Sequence, residues 1–151
     1  LMPQFIDSYY LVNGRNSKTI FSFLENISFI KEEIATEYTF PDFCDIPEII
    51  FYNDFHIMNF LENKINSDYI IYWNNKNLES IVKQFTLQYT DDGNMIFGIS
   101  IYGNNIISKE STSLFRNINE ILKTKISCIT MEEPPPHNTN EFIDFCNIRY
   151  R

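Results

Sequence analysis

Apolar and polar residues alternate through "QFTLQYTDDGNMIFGISIYG", residues 84–103. Phe85, Leu87 and Tyr89 point one way and Thr86, Gln88 and Thr90 the other; Met95, Phe97, Ile99 and Ile101 then resume the alternation. A period of two belongs to strands with one buried face, so the stretch predicts a hairpin. Two registers compete. A two-residue loop at Asp92-Gly93 pairs Tyr89 with Ile96 and throws the two apolar rows onto opposite faces. A three-residue loop, Asp91-Asp92-Gly93, pairs Tyr89 with Met95, Leu87 with Phe97 and Phe85 with Ile99, and keeps every apolar side chain on one face. The second register is expected, with Gly93 supplying the left-handed residue it needs.

The remaining pattern predicts a helical layer for that face. "QFIDSYYLV" (4–12) reads as a strand ending at the turn Asn13-Gly14. Ser17 fits a helix N-cap, and Phe23, Ile27, Ile30, Ile34 and Tyr38 follow at helical spacing, which predicts a helix to near Tyr38 with Glu25, Glu32, Glu33 and Glu37 mostly off its buried side. Residues 39–54 hold two prolines and no clean period, predicting an extended loop with a short strand at 49–52. Asp54 is a candidate cap for a helix carrying Phe55, Met58, Leu61 and Ile65. "DYIIYW" (68–73) has the composition of a central strand and "NNKN" of a break. A helix over 111–125, a strand over 126–131, a stiff "EEPPP" and a last helix capped by Asn138 or Asn140 complete the order. The expected fold class is α+β: one globular domain over 1–151, two-layer, with a mainly antiparallel sheet and helices packed on one face.

Composition narrows the function. At 151 residues the chain can bury roughly 70% of its unfolded surface, and 44% hydrophobic content rules out a disordered chain. A surplus of asparagine and isoleucine is what an AT-rich genome produces, whatever the function. The net charge of -8 repels phosphate backbones and anionic lipid surfaces, so neither nucleic acid nor a membrane is an expected partner. A basic protein would be attracted. "LMPQFIDSYY" lacks a basic segment followed by an apolar run, so no signal peptide and a cytoplasmic location are expected, with Leu1 a remnant ahead of a native Met2.

Catalytic chemistry finds no pattern. Cys44, Cys128 and Cys146 are odd in number, widely spaced and set among apolar residues, so they are expected to be buried free thiols. His56 and His137 stand apart from them, so no zinc site, other metal or cofactor is expected. His56 lies in an apolar run, where a core or partly buried imidazole outweighs a general base; His137 follows three prolines on a surface loop. Turn chemistry accounts for Asp91-Asp92, a solvated helix side for Glu32-Glu33 and a surface strand exit for Glu132-Glu133; Asp42, Asp45 and Glu48 lack the glycine and terminal glutamate of a calcium loop, and four glycines provide no phosphate cradle. No catalytic residue is expected. An enzyme whose site assembles only in space, such as a small hydrolase, and a structural or adaptor domain with an exposed strand edge stay open as alternatives.

"DYIIYWNN", then "FTLQYTDDGNMIFGISIYG", then a helix, resembles small bacterial immunity proteins encoded beside polymorphic toxins, including those of contact-dependent growth inhibition. The likeness lies in a strand with an aromatic end, a hairpin with an Asp-Gly turn, and the return strand Met95-Ile96-Phe97-Gly98-Ile99-Ser100. It implies a non-enzymatic cytoplasmic protein that covers the active site of one cognate toxin C-terminal domain, commonly a basic nuclease whose phosphate ligands carboxylates can replace. It implies neither the toxin's identity nor an oligomeric state. The expected contact surface is, in order, the loop with Asp42, Asp45 and Glu48, the hairpin tip at Asp91 and Asp92, and Glu32, Glu33 and Glu37. Loops on a rigid scaffold are where binding residues tend to sit.

Overall fold

The computed structural model describes residues 4–151, so the reading of Leu1 and Met2 lies outside the described residues. Along them run β1 (Phe5–Val12), α1 (Ser17–Asn26), β2 (Lys31–Glu33), β3 (Tyr38–Phe40), β4 (Ile49–Phe51), α2 (Asp54–Glu62), β5 (Tyr69–Asn75), β6 (Val82–Tyr89), β7 (Met95–Tyr102), α3 (Lys109–Leu122), β8 (Ser127–Thr130) and α4 (Thr139–Asn147). The hairpin takes the three-residue register. Tyr89 faces Met95, Leu87 faces Phe97 and Phe85 faces Ile99. The Thr90 N–H donates to the Asn94 carbonyl at 3.0 Å, and Gly93 has φ +90°. The five apolar side chains Phe85, Leu87, Tyr89, Phe97 and Ile99 are all buried together.

That hairpin is the middle of a six-stranded sheet ordered β2-β5-β6-β7-β1-β8, in which every pairing is antiparallel. β3 and β4 form a separate two-stranded ribbon. The α+β class is as expected, and α1, α2 and α3 cover the face carrying Phe85. Ile20 and Phe23 of α1, Ile57, Met58 and Leu61 of α2, and Phe115 and Ile118 of α3 complete that core. Phe23 meets both Phe85 and Phe97, with ring centroids 5.9 and 5.2 Å apart.

The expectation that helices pack on one face needs a correction for α4. It covers the reverse face, where Phe142 and Cys146 pack with Tyr9, Leu11, Ile96 and Cys128. β1 explains the need: it alternates Ile6, Tyr10 and Val12 on one side with Tyr9 and Leu11 on the other, so both of its faces are apolar and both must be covered. Gly98 makes room there, because a Cβ at that position would lie 2.8 Å from the Tyr9 ring. Buried polar side chains on this face find partners: Gln88 donates to the Pro136 carbonyl at 2.7 Å and the Ser100 hydroxyl donates to Asp7 at 2.6 Å.

The long first helix is a second correction. α1 ends at Asn26, Ser28 turns left-handed with φ +54°, and the Ser28 and Phe29 amides donate back to Glu25 and Leu24. This is a Schellman stop with serine in the place glycine usually takes. The chain then runs as β2 along β5, and Ile30 and Ile34, expected on the buried stripe, are half-exposed. The helical spacing of Ile30, Ile34 and Tyr38 is coincidental: a free edge of backbone hydrogen bonds on β5 outcompetes three further turns of helix. Asn16 and Asn53, rather than Ser17 and Asp54, cap α1 and α2. "NNKN" is not wholly a break, since β5 continues to Asn75.

Candidate protein-binding surface

The ribbon of β3 and β4 carries the loop with Asp42, Asp45 and Glu48 and fixes its base. Phe40 and Phe51 both pack on Phe60 of α2, with ring centroids 4.9 and 5.1 Å apart. The Tyr69 hydroxyl donates to the Thr39 carbonyl at 3.0 Å, and the Glu48 amide closes the loop onto the Phe40 carbonyl at 2.8 Å. The tip, by contrast, is turned to solvent. Phe43 is 99% exposed and Ile46 86% exposed, and Asp42, Asp45 and Glu48 are exposed around them. Phe43 also holds φ +58°, a conformation unfavourable for a side chain with a Cβ, and the Asp42 carboxylate steadies it by accepting the Phe43 amide at 3.0 Å. Apolar side chains ringed by charge have the layout of an interface with an apolar centre and a polar rim.

This loop also overturns one cysteine expectation. Cys128 and Cys146 are buried, but Cys44 is exposed, because its apolar neighbours Phe43 and Ile46 face outward rather than into the core. All three thiols are free.

Beside the loop a cleft of about 370 Å³ separates Pro41, Asp42 and Phe43 from the chain leading into β5, Asn66 to Tyr72, with His137 at its margin. Asp68 and His137 pair across it at 3.0 Å. The Asp91 amide donates to the His137 carbonyl at 2.9 Å, so the hairpin tip borders the same region. The fold thus brings the first and second choices of contact surface together. Within the tip the two aspartates differ. Asp92 accepts the Thr139 amide and hydroxyl at 3.1 and 2.9 Å and is tied to the start of α4. Burial opposes its charge, but bonds from Thr90 and Thr139 hold its pKa below the ordinary carboxylate value. Asp91 is exposed. Neither Asp68 nor His137 could be linked to the loop from sequence, because only the sheet topology brings them together.

The third group sits on β2 and the turn after it. Glu32 and Glu37 are exposed. Glu33 instead holds neighbouring segments together, because its carboxylate accepts the Asp54 amide at 2.7 Å and the Tyr38 hydroxyl at 2.8 Å. Asp54 in turn accepts from Lys31 Nζ at 2.8 Å and from the Trp73 indole N–H at 2.9 Å. Burial would raise the Asp54 pKa, but the bonds from Lys31 and Trp73 outweigh it and the net shift is downward from 3.8. A carboxyl whose pKa is depressed on folding stabilises the fold fully above its unfolded value, and that contribution disappears as pH falls through the folded value. The Asp54→Asn protein is therefore expected to lose stability at neutral pH and to show a flatter decline below about pH 4. Urea midpoints measured from pH 7 to pH 2.5 check this; parallel curves for the two proteins would contradict it. Asp7 has the opposite sign: burial raises its pKa despite bonds from Ser100 and the Glu132 amide, so it contributes its stability on the acid side.

The catalytic candidates acquire little. His56, expected in or near the core, is exposed, because the buried side of α2 runs through Ile57, Met58 and Leu61. Ser67 lines the same cleft as His137 and Asp68, but among the described residues no hydroxyl or thiol hydrogen-bonds to the imidazole. No three His, Cys, Asp or Glu side chains among the described residues converge to hold a metal. No helix among them is long and apolar enough to cross a membrane.

The sequence matches no protein-family profile and no curated protein. Among solved structures, the fold is similar to a chain of a complex of the toxic C-terminal tip of CdiA from Pseudomonas aeruginosa with immune protein. The two chains are 16% identical over 87% of this chain and 88% of that one, with a TM-score of 0.48. Similarity of that degree carries no inference about partner or activity.

Proposed function

We propose that this protein is an immunity protein, a non-enzymatic inhibitor that binds a basic toxin domain, a nuclease, and covers its active site in the cytoplasm. The observation that carries the reading is the 41–48 loop. It presents Phe43 and Ile46 to solvent on an anchored base, with Asp42, Asp45 and Glu48 around them. A residue that large, fully exposed and held in an unfavourable conformation does nothing for the free fold, whereas at an interface it would be a central anchor. The net charge of -8 suits a basic partner, and the resemblance carried by residues 68–75 and 85–103 points to the same class. Asp91 and the β2 carboxylate Glu32 supply further negative surface. Asp92 and Glu33 are committed to internal hydrogen bonds and would contribute charge rather than direct contacts.

Charge at the rim of such an interface acts mainly on encounter. Association with the proposed cognate toxin domain is expected to be fast and to slow as salt is added. Asp45→Lys is expected to lower the on-rate several-fold and leave the off-rate nearly unchanged. Stopped-flow association at several ionic strengths tests this; an on-rate indifferent to both salt and the reversal would count against the acidic surface.

A further inference from the structure

We propose that the cleft between Pro41–Phe43 and the chain entering β5 is an anchor site for one arginine side chain of the partner protein, a proposal that rests on the immunity reading above. Three features of the cleft point to a guanidinium. Its volume, about 370 Å³, suits a single long side chain rather than a helix or a strand. Tyr69 and Tyr72 are among its lining residues, and Tyr72 is half-exposed, with part of its surface open to a visitor. Its two carboxylates, Asp42 and Asp68, come from opposite walls, and no lysine or arginine is among its lining residues.

The neighbouring cations are committed elsewhere. Arg15 donates to the carbonyls of Leu61, Lys64, Ser67 and Thr90, and Lys64 Nζ lies over the rings of Phe40 and Phe60. Within the cleft Asp68 lies 3.0 Å from His137 Nδ1, and among the described residues no lysine or arginine pairs with Asp42 or Asp68. Asp42 faces both tyrosines closely enough that, after burial, it is the next cause holding their hydroxyls protonated. A planar, weakly hydrated guanidinium stacks on aromatic faces and binds carboxylates with its edge, using walls and charges at once. An ammonium is compact and strongly hydrated and would use the charges alone.

The test has two arms. In the first, N-acetyl-arginine amide, N-acetyl-lysine amide and N-acetyl-glutamine amide are titrated into the isotope-labelled protein. Saturable amide shifts are expected at Asp42, Asp68, Tyr69 and Tyr72 with the arginine probe, about tenfold weaker binding with lysine and none with glutamine. The double variant Asp42→Asn/Asp68→Asn should abolish the response; asparagine retains an oxygen to accept the Phe43 amide, so the loop is preserved. In the second arm, that variant and Tyr72→Ala are expected to speed dissociation of the toxin complex about 10- to 100-fold with unchanged melting temperature. Absence of saturable arginine shifts, or shifts unaltered in the double variant, would overturn the proposal. So would a complex whose off-rate ignores both variants, and in that case the immunity reading would stand. Arginine binding with no toxin complex at all would instead sink the immunity reading and leave the guanidinium site.

Discussion

Replacing Phe85 by alanine is expected to cost about 3–5 kcal/mol of stability, in the range measured for buried phenylalanines. Phe85 is fully buried on the strand at the middle of the sheet. Its ring stacks on Trp73 with centroids 5.6 Å apart and meets Phe97 edge-on at 5.4 Å, while Phe23 and Phe29 close over it at 5.9 and 6.0 Å. Those rings come from β5, β7, α1 and the segment after it, so no single element can shift to fill the void. Small domains retain only about 5–15 kcal/mol in total, so the loss is a large fraction of stability. Phe85→Leu, which keeps most of the volume, is expected to cost less than about 1.5 kcal/mol. Urea unfolding with an unchanged slope and a much lower midpoint for alanine is the expected record. A loss under about 1 kcal/mol would mean that the aromatic cluster is not the centre of the core.

The opposite result is expected at Phe43. Phe43→Gly removes a side chain that is 99% exposed and relieves a φ of +58°, worth about 1–2 kcal/mol for a residue with a Cβ. Against that stands about 0.5–1 kcal/mol of extra unfolded-state freedom. The folded protein should be as stable as before or slightly more so. Binding should weaken by about 2–4 kcal/mol, roughly 30- to 1000-fold, if Phe43 is the apolar anchor of the interface. Melting temperature and complex affinity, measured on the same preparation, separate the two effects. A drop in both would make Phe43 a structural residue; no change in affinity would remove the 41–48 loop from the interface.

What the sequence disclosed, and what it hid, follows from the range of the interactions involved. The hairpin was legible to the residue because its register depends on alternation and one glycine, both local. The end of α1 was not, because Ile30 and Ile34 keep helical spacing while the competing partner, β5, lies some forty residues further on. The placement of α4 was hidden for the same reason: Phe142 and Phe145 mark a last helix without saying which face of the sheet it covers, and only the double-sided apolar pattern of β1 hinted that a second face needed cover. The acidic loop was picked out from its proline content and carboxylates, but the outward turn of Phe43 and Ile46 ran against the ordinary expectation that phenylalanine and isoleucine are buried. Asp68 and His137 reach the loop through folding alone.

Neutralisation of a toxin by direct binding is the central claim. The most direct measurement is survival of cells expressing the proposed cognate toxin domain, sought among the genes adjoining this protein's own, with and without this protein, followed by gel filtration of the two purified chains. Survival is expected with the wild-type protein, together with a stable complex that elutes as one species, and loss of protection with Phe43→Gly although that variant is soluble and folded. Cell death despite soluble wild-type protein, with the two chains eluting separately, would contradict the claim.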